Sequence, residues 1–119
     1  AHEDINLLTV LPASNEAGLQ VRDLAGNWHD VPCDFGSIAV NCGDMLAHWS
    51  GGRWRSAIHR VMPPTAAAPD CGLLSLVYFC EPDPETMITP LGGGPTVNAG
   101  EYLRSKIAAI TMPPPTGAQ

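Results

Sequence analysis

Residues 1–10 read AHEDINLLTV, and residues 56–61 read SAIHRV. His2-x-Asp4 sets an imidazole and a carboxylate two positions apart, which in an extended strand puts both on one face. His59 lies far along the chain in a second apolar run, and a chain wound into a barrel returns later strands beside earlier ones. Two histidines and one carboxylate on one face of an octahedron leave the other face open, the ligand set of non-haem Fe(II) and oxygen chemistry. Catalytic zinc uses the same residue types, but the helical HExxH spacing is absent. A zinc hydrolase also needs a general base, and Glu3 points to the opposite face of the strand from His2 and Asp4.

Outward from these ligands the chain reads as short strands broken by Gly and Pro. Ile5–Ala13 is apolar and β-leaning, closed by Pro12. Residues 18–32 (GLQVRDLAGNWHDVP) form a hairpin turning at Ala25-Gly26-Asn27. Ser37–Asn41 is a short strand, and GDMLAHWSGG a bend or helical turn. Arg53–Met62 and Leu73–Pro82 are the next strands, the latter the most β-prone of all. Leu103, Ile107 and Ile110 recur at helical spacing, and Asn98 with Glu101 suits a capping box. Short strands with one terminal helix describe an all-β sandwich or open barrel. The expected division is a β core over 1–97, a helix over 98–111 and a tail over 112–119. Gly92–Gly94 lacks the Lys-Ser/Thr of a phosphate loop and reads as a turn.

The bulk numbers set limits. With 119 residues the chain has the length of one domain, able to bury roughly two-thirds of its unfolded surface. A net charge of −6, with six basic residues and no basic stripe, argues against nucleic acid as a partner. Four cysteines without a CxxC pair read as buried free thiols. Neither a signal peptide nor a membrane-spanning run is visible, so no membrane partner is expected and the cytoplasm is the expected compartment. His29 and His48 read as exposed polar residues, and Trp28, Trp49 and Trp54 as packing. Of Tyr78 and Phe79, one faces in and one out.

Taken in order, HEDINLLTVL, GLQV, GNWHDVP, GSIAVNCGDML, SGGRWRSAIHRV and LSLVYFCEPDP resemble the C-terminal catalytic domain of the isopenicillin N synthase-like Fe(II)/2-oxoglutarate-dependent dioxygenases. The resemblance runs from His2 to about Ile110, and its strongest blocks after the ligands are VN-x-GD-x-L and HRV. It implies a double-stranded β-helix (jelly-roll), incomplete at its N-terminus, holding iron through His2, Asp4 and His59. It also implies that 2-oxoglutarate is decarboxylated to succinate while O2 oxidises a small organic substrate. Asn41 and Asp44 then shape the bend rather than touch iron.

One position departs from the family pattern. An Arg-x-Ser pair usually opens the last core strand and holds the distal carboxylate of 2-oxoglutarate. Here Ser75 is present, as the expected co-substrate contact, but Leu73 stands in place of the arginine. Losing a desolvated charge partner costs roughly 2–5 kcal/mol of affinity. Three outcomes compete: Arg55, of the same strand parity as His59, substitutes; 2-oxoglutarate is not used; or the chain is a non-catalytic jelly-roll fragment with a weak or absent metal site. The family also carries helices and early strands ahead of His-x-Asp, so the missing N-terminal part of the same enzyme is an expected partner. Without it, weaker iron binding is expected.

Overall fold

The computed structural model describes residues 1–13, 17–32, 34–63 and 74–111. Cys33, Cys71, Leu73 and the tail over 112–119 therefore lie outside the described residues.

Six strands build two antiparallel sheets. In the first, β1 (Leu8–Pro12) is central, flanked by β4 (Ile38–Cys42) and β6 (Tyr78–Cys80). In the second, β2 (Leu19–Arg22) lies between β3 (Trp28–Asp30) and β5 (His59–Val61). His2 adds one further rung to the second sheet through an antiparallel bridge to His59. These are the two layers of a jelly-roll. Between β4 and β5 the chain makes α1 (Asp44–Trp49), and after β6 a small pair, β7 (Met87–Ile88) with β8 (Val97–Asn98), leads into α2 (Ala99–Thr111).

Period-2 alternation sorts the first sheet into two faces. Thr9 is opposite both Asn41 and Phe79, so these three share one face. Val10 is opposite Val40 and Tyr78 on the other, where Val40 and Tyr78 remain exposed. The core proper is small. Met45, Ile88 and Ala99 are buried, with Leu7, Val97 and Tyr102 packed around them, where α1, α2 and the β7–β8 pair meet. The Asn98 side chain accepts the Glu101 backbone N–H at 3.0 Å and caps α2. Lys106 of α2 pairs with Asp44 of α1 at 2.7 Å.

Three expected strands are shorter than their sequences suggest. Ile5–Leu7 bends instead of pairing, because Asn6 is buried and the Leu7 carbonyl accepts the Gly43 N–H at 3.0 Å. Of Arg53–Met62 only His59–Val61 joins a ladder; Gly51 and Gly52 take positive φ, and Ser50 Oγ accepts the Trp54 N–H, so the run begins as a turn. Of Leu73–Pro82 only Tyr78–Cys80 pairs. Residues 74–77 have no partner strand among the described residues, and β-propensity without a partner makes no strand. The β7–β8 pair is an addition that turn residues concealed. Trp49 and Trp54 are 43% and 54% exposed rather than packed inside. With Leu8, Cys42, Arg53 and Arg55 they line an open apolar cavity of about 730 Å³.

Candidate metal centre

The second sheet aligns the two histidines. His2 and His59 exchange both backbone hydrogen bonds, each 3.0 Å, so they stand directly opposite with side chains on one face. Their ring centroids are 4.4 Å apart. Asp4 completes the group: its Oδ1 lies 3.6 Å from His2 Nε2 and 3.7 Å from His59 Nε2. One donor atom from each of the three falls within 4.8 Å of the others, a spacing that suits a single ion.

The first sheet orients the carboxylate. Asp4 is buried, and its Oδ2 accepts hydrogen bonds from Thr9 Oγ1 at 2.5 Å and Asn41 Nδ2 at 2.8 Å. Asn6 Nδ2 in turn donates to Thr9 Oγ1 at 3.0 Å. With Oδ2 so held, Oδ1 is turned toward the two imidazoles and takes no hydrogen bond from the described side chains. Burial alone raises the carboxyl pKa. The hydrogen bonds from Asn41 and Thr9 and the fields of His59 and His2 outweigh it and hold the group below its ordinary value.

His59 is prepared in the same manner. Its Nδ1 lies 2.9 Å from the Ala57 carbonyl, which only accepts, so Nδ1 carries the proton and Nε2 offers its lone pair. Local backbone geometry secures the aspartate from behind. The Asp44 N–H donates to the Asp4 carbonyl at 2.8 Å, and a Cβ on Gly43 would collide with the Asn6 carbonyl oxygen. The GD of the VN-x-GD block is thus needed for close approach, and its Asn41 bonds the ligand rather than the ion. Neither Thr9 nor Asn6 was singled out in the sequence. Thr9 had one available signal: it is the polar residue inside LLTVL.

The donor set fits a divalent ion on chemical grounds: two neutral imidazole nitrogens, one free carboxylate oxygen, and second-layer bonds already made. Ser75 is exposed on the stretch before β6 and bonds to none of the described residues. Arg55 lies in the apolar cavity with Trp49 and Cys80; residues 55–58 join no ladder, so the parity shared with His59 does not carry over. His29 is exposed and pairs with Asp23, while His48 stacks on Tyr102 with its ring Nε2 buried, a correction to its expected exposure. Cys42 and Cys80 are free thiols, as expected, though half-buried. Among the described residues, no helix is long and apolar enough to cross a membrane.

Known proteins resemble this chain over most of its length. A validamycin A dioxygenase from Streptomyces hygroscopicus subsp. limoneus is 42% identical over 113 residues, covering 88% of this chain and 31% of the relative. An oxygenase structure from Shewanella oneidensis superposes with TM-score 0.79 at 42% identity, covering 92% of this chain and 39% of that one. A Neurospora crassa protein solved with α-ketoglutarate superposes with TM-score 0.79 at 29% identity, covering 92% and 36%. The chain thus spans about a third of the length of the relatives it matches. The 2OG-Fe(II) oxygenase superfamily profile matches residues 1–82, and the chain belongs to that superfamily.

Proposed function

We propose that this chain is the metal-holding part of an oxygenase that oxidises a small organic substrate with O2 and uses 2-oxoglutarate, decarboxylated to succinate, as co-substrate. The observation that carries the reading is the Asp4 carboxylate, with one oxygen held by Thr9 and Asn41 and the other turned to His2 and His59. Fe(II) bound there supplies the activation of O2 against 2-oxoglutarate for which the superfamily is named. The chain's own residues fix the rest. His2, Asp4 and His59 would hold the ion, each offering one donor atom. Asn41 and Thr9 keep Asp4 single-toothed, and Ala57 keeps the His59 tautomer.

Ser75 stands at the serine position of the family's Arg-x-Ser pair and is exposed. That placement supports it as the contact for the far carboxylate of 2-oxoglutarate. The apolar face of Val40 and Tyr78 suits cover by further residues of the same enzyme, since this chain covers 31% of the validamycin A dioxygenase it resembles. The cytoplasm, where Fe(II) and free thiols persist, is the compartment that fits this chemistry.

Anaerobic titration of the Fe(II)-loaded protein with 2-oxoglutarate, read by the visible charge-transfer band of the chelate, tests the reading. A saturable band is expected. Iron bound without a band sinks the co-substrate assignment, and failure to bind iron sinks the enzyme and leaves a structural jelly-roll.

A further inference from the structure

We propose that Lys106, on the terminal helix α2, is a positioning residue for the metal centre that acts on Asp4 through Asp44; this deepens, and rests on, the oxygenase reading above. The backbone carries the first link. Helix α1 has no side-chain cap at its N-terminus, and the segment that holds Asp4 supplies partners instead. The Asp4 carbonyl accepts the Asp44 N–H at 2.8 Å, and the Leu7 carbonyl accepts the Gly43 N–H at 3.0 Å. The first donors of a helix need such partners, so a shift of α1 pulls directly on the metal ligand.

The second link is a clasp between two helices. Asp44 and His48 stand four residues apart on α1, and Tyr102 and Lys106 four apart on α2, so each pair shares one helix face. Lys106 Nζ lies 2.7 Å from Asp44 Oδ2, and the His48 and Tyr102 rings stack with centroids 6.1 Å apart. The far end of the clasp is fixed. The N–H groups of Ala99 and Gly100 bond the Thr86 and Pro84 carbonyls at 2.9 and 3.0 Å, and a Cβ on Gly100 would meet the Pro84 oxygen at 2.9 Å. Lys106 thus reaches Asp44 from a helix anchored about two turns earlier. Asp44 depends on that contact. Its side chain is 13% exposed, its Oδ1 is buried with no hydrogen-bond partner among the described residues, and Lys106 is the one cation paired with it there. Without Lys106 the carboxylate regains water by opening the seam between the helices. Lys106 is itself half-exposed, so that opening costs the whole fold little. It nevertheless falls directly behind Asp4.

The test follows amide hydrogen exchange in the metal-free protein and Co(II) binding by visible absorption, with Co(II) as a coloured stand-in for Fe(II). In Lys106→Met the Asp44 amide should exchange about fivefold faster, while the amides that pair β2 with β3 keep their rates. Co(II) affinity should fall about fivefold, the most that such an ion pair carries, and the bands of the bound ion should change. Removing a positive charge by itself favours a bound cation, so a loss of affinity reports position rather than field. Lys106→Arg, which keeps the charge, should restore most of both values. Asp44→Asn leaves nothing to pair, so adding Lys106→Met to it should change Co(II) affinity no further. Unchanged Asp44 exchange, unchanged Co(II) affinity, faster exchange throughout the protein, or a full further loss in the double variant overturns the inference. If the parent protein binds no Co(II), the oxygenase reading fails, and this inference with it, whatever the exchange rates.

Discussion

His2 and Asp4 are two residues apart in one motif and occupy opposite surroundings. Asp4 is 7% exposed and held by Thr9, Asn41 and the backbone of Asp44. The His2 side chain is 64% exposed, and a backbone bridge to His59 is what places it. One ligand is pre-organised by the first sheet and the start of α1, the other by a single rung at the edge of the second sheet. The difference teaches that affinity here depends on the buried carboxylate and on His59, which is 15% exposed, more than on the first residue of the motif.

The largest effect expected follows from removing the better-held ligand. Asp4→Ala should abolish Fe(II) binding in anaerobic calorimetry, a loss beyond the roughly 10–100-fold typical of second-layer changes. His2→Ala should weaken binding less than Asp4→Ala; equal losses would erase the contrast. Next come the carboxylate's supports. Asn41→Ala and Thr9→Val should each lower Fe(II) affinity by about 10–100-fold without removing a ligand. If neither moves the affinity, the held oxygen is irrelevant to the site.

Stability offers an independent check. Met45 is 1% exposed in a core of few residues, and Met45→Ala should cost about 2–5 kcal/mol in denaturant unfolding. Asp4 adds a pH dependence to the metal-free protein. Its folded pKa lies below the unfolded one, so its contribution is full above the ordinary aspartate value and is lost as pH falls through the folded value. Subtracting the unfolding free energies of Asp4→Asn from those of the parent should give a difference flat near neutrality that declines only in acid. A decline beginning near neutral pH would mean the carboxyl is raised instead. The smallest effect belongs to the half-exposed Lys106–Asp44 pair, where Lys106→Met should cost no more than about 1 kcal/mol in the same assay.

Much of the site was legible because its chemistry is carried by residue type at fixed spacing. His-x-Asp on a strand and a histidine in a later apolar run define a ligand set before any fold is known. The hairpin over 18–32 was equally legible, since Gly26 takes positive φ at the turn and the flanking residues alternate. The ends of strands were not. Leu74, Leu76 and Val77 have strand-forming side chains, yet they remain exposed outside a ladder, because a strand is defined by its neighbour rather than its own sequence.

By itself the sequence determined the ligand types, the alternation that builds two sheets, and the cap that starts α2. Only the tertiary structure decided which oxygen of Asp4 is free, which nitrogen of His59 is offered, and that His2 stands opposite His59. Those are matters of register between strands distant in the chain. Register follows from which side chains two folded surfaces can bury and bond together, and no local run of residues contains that information.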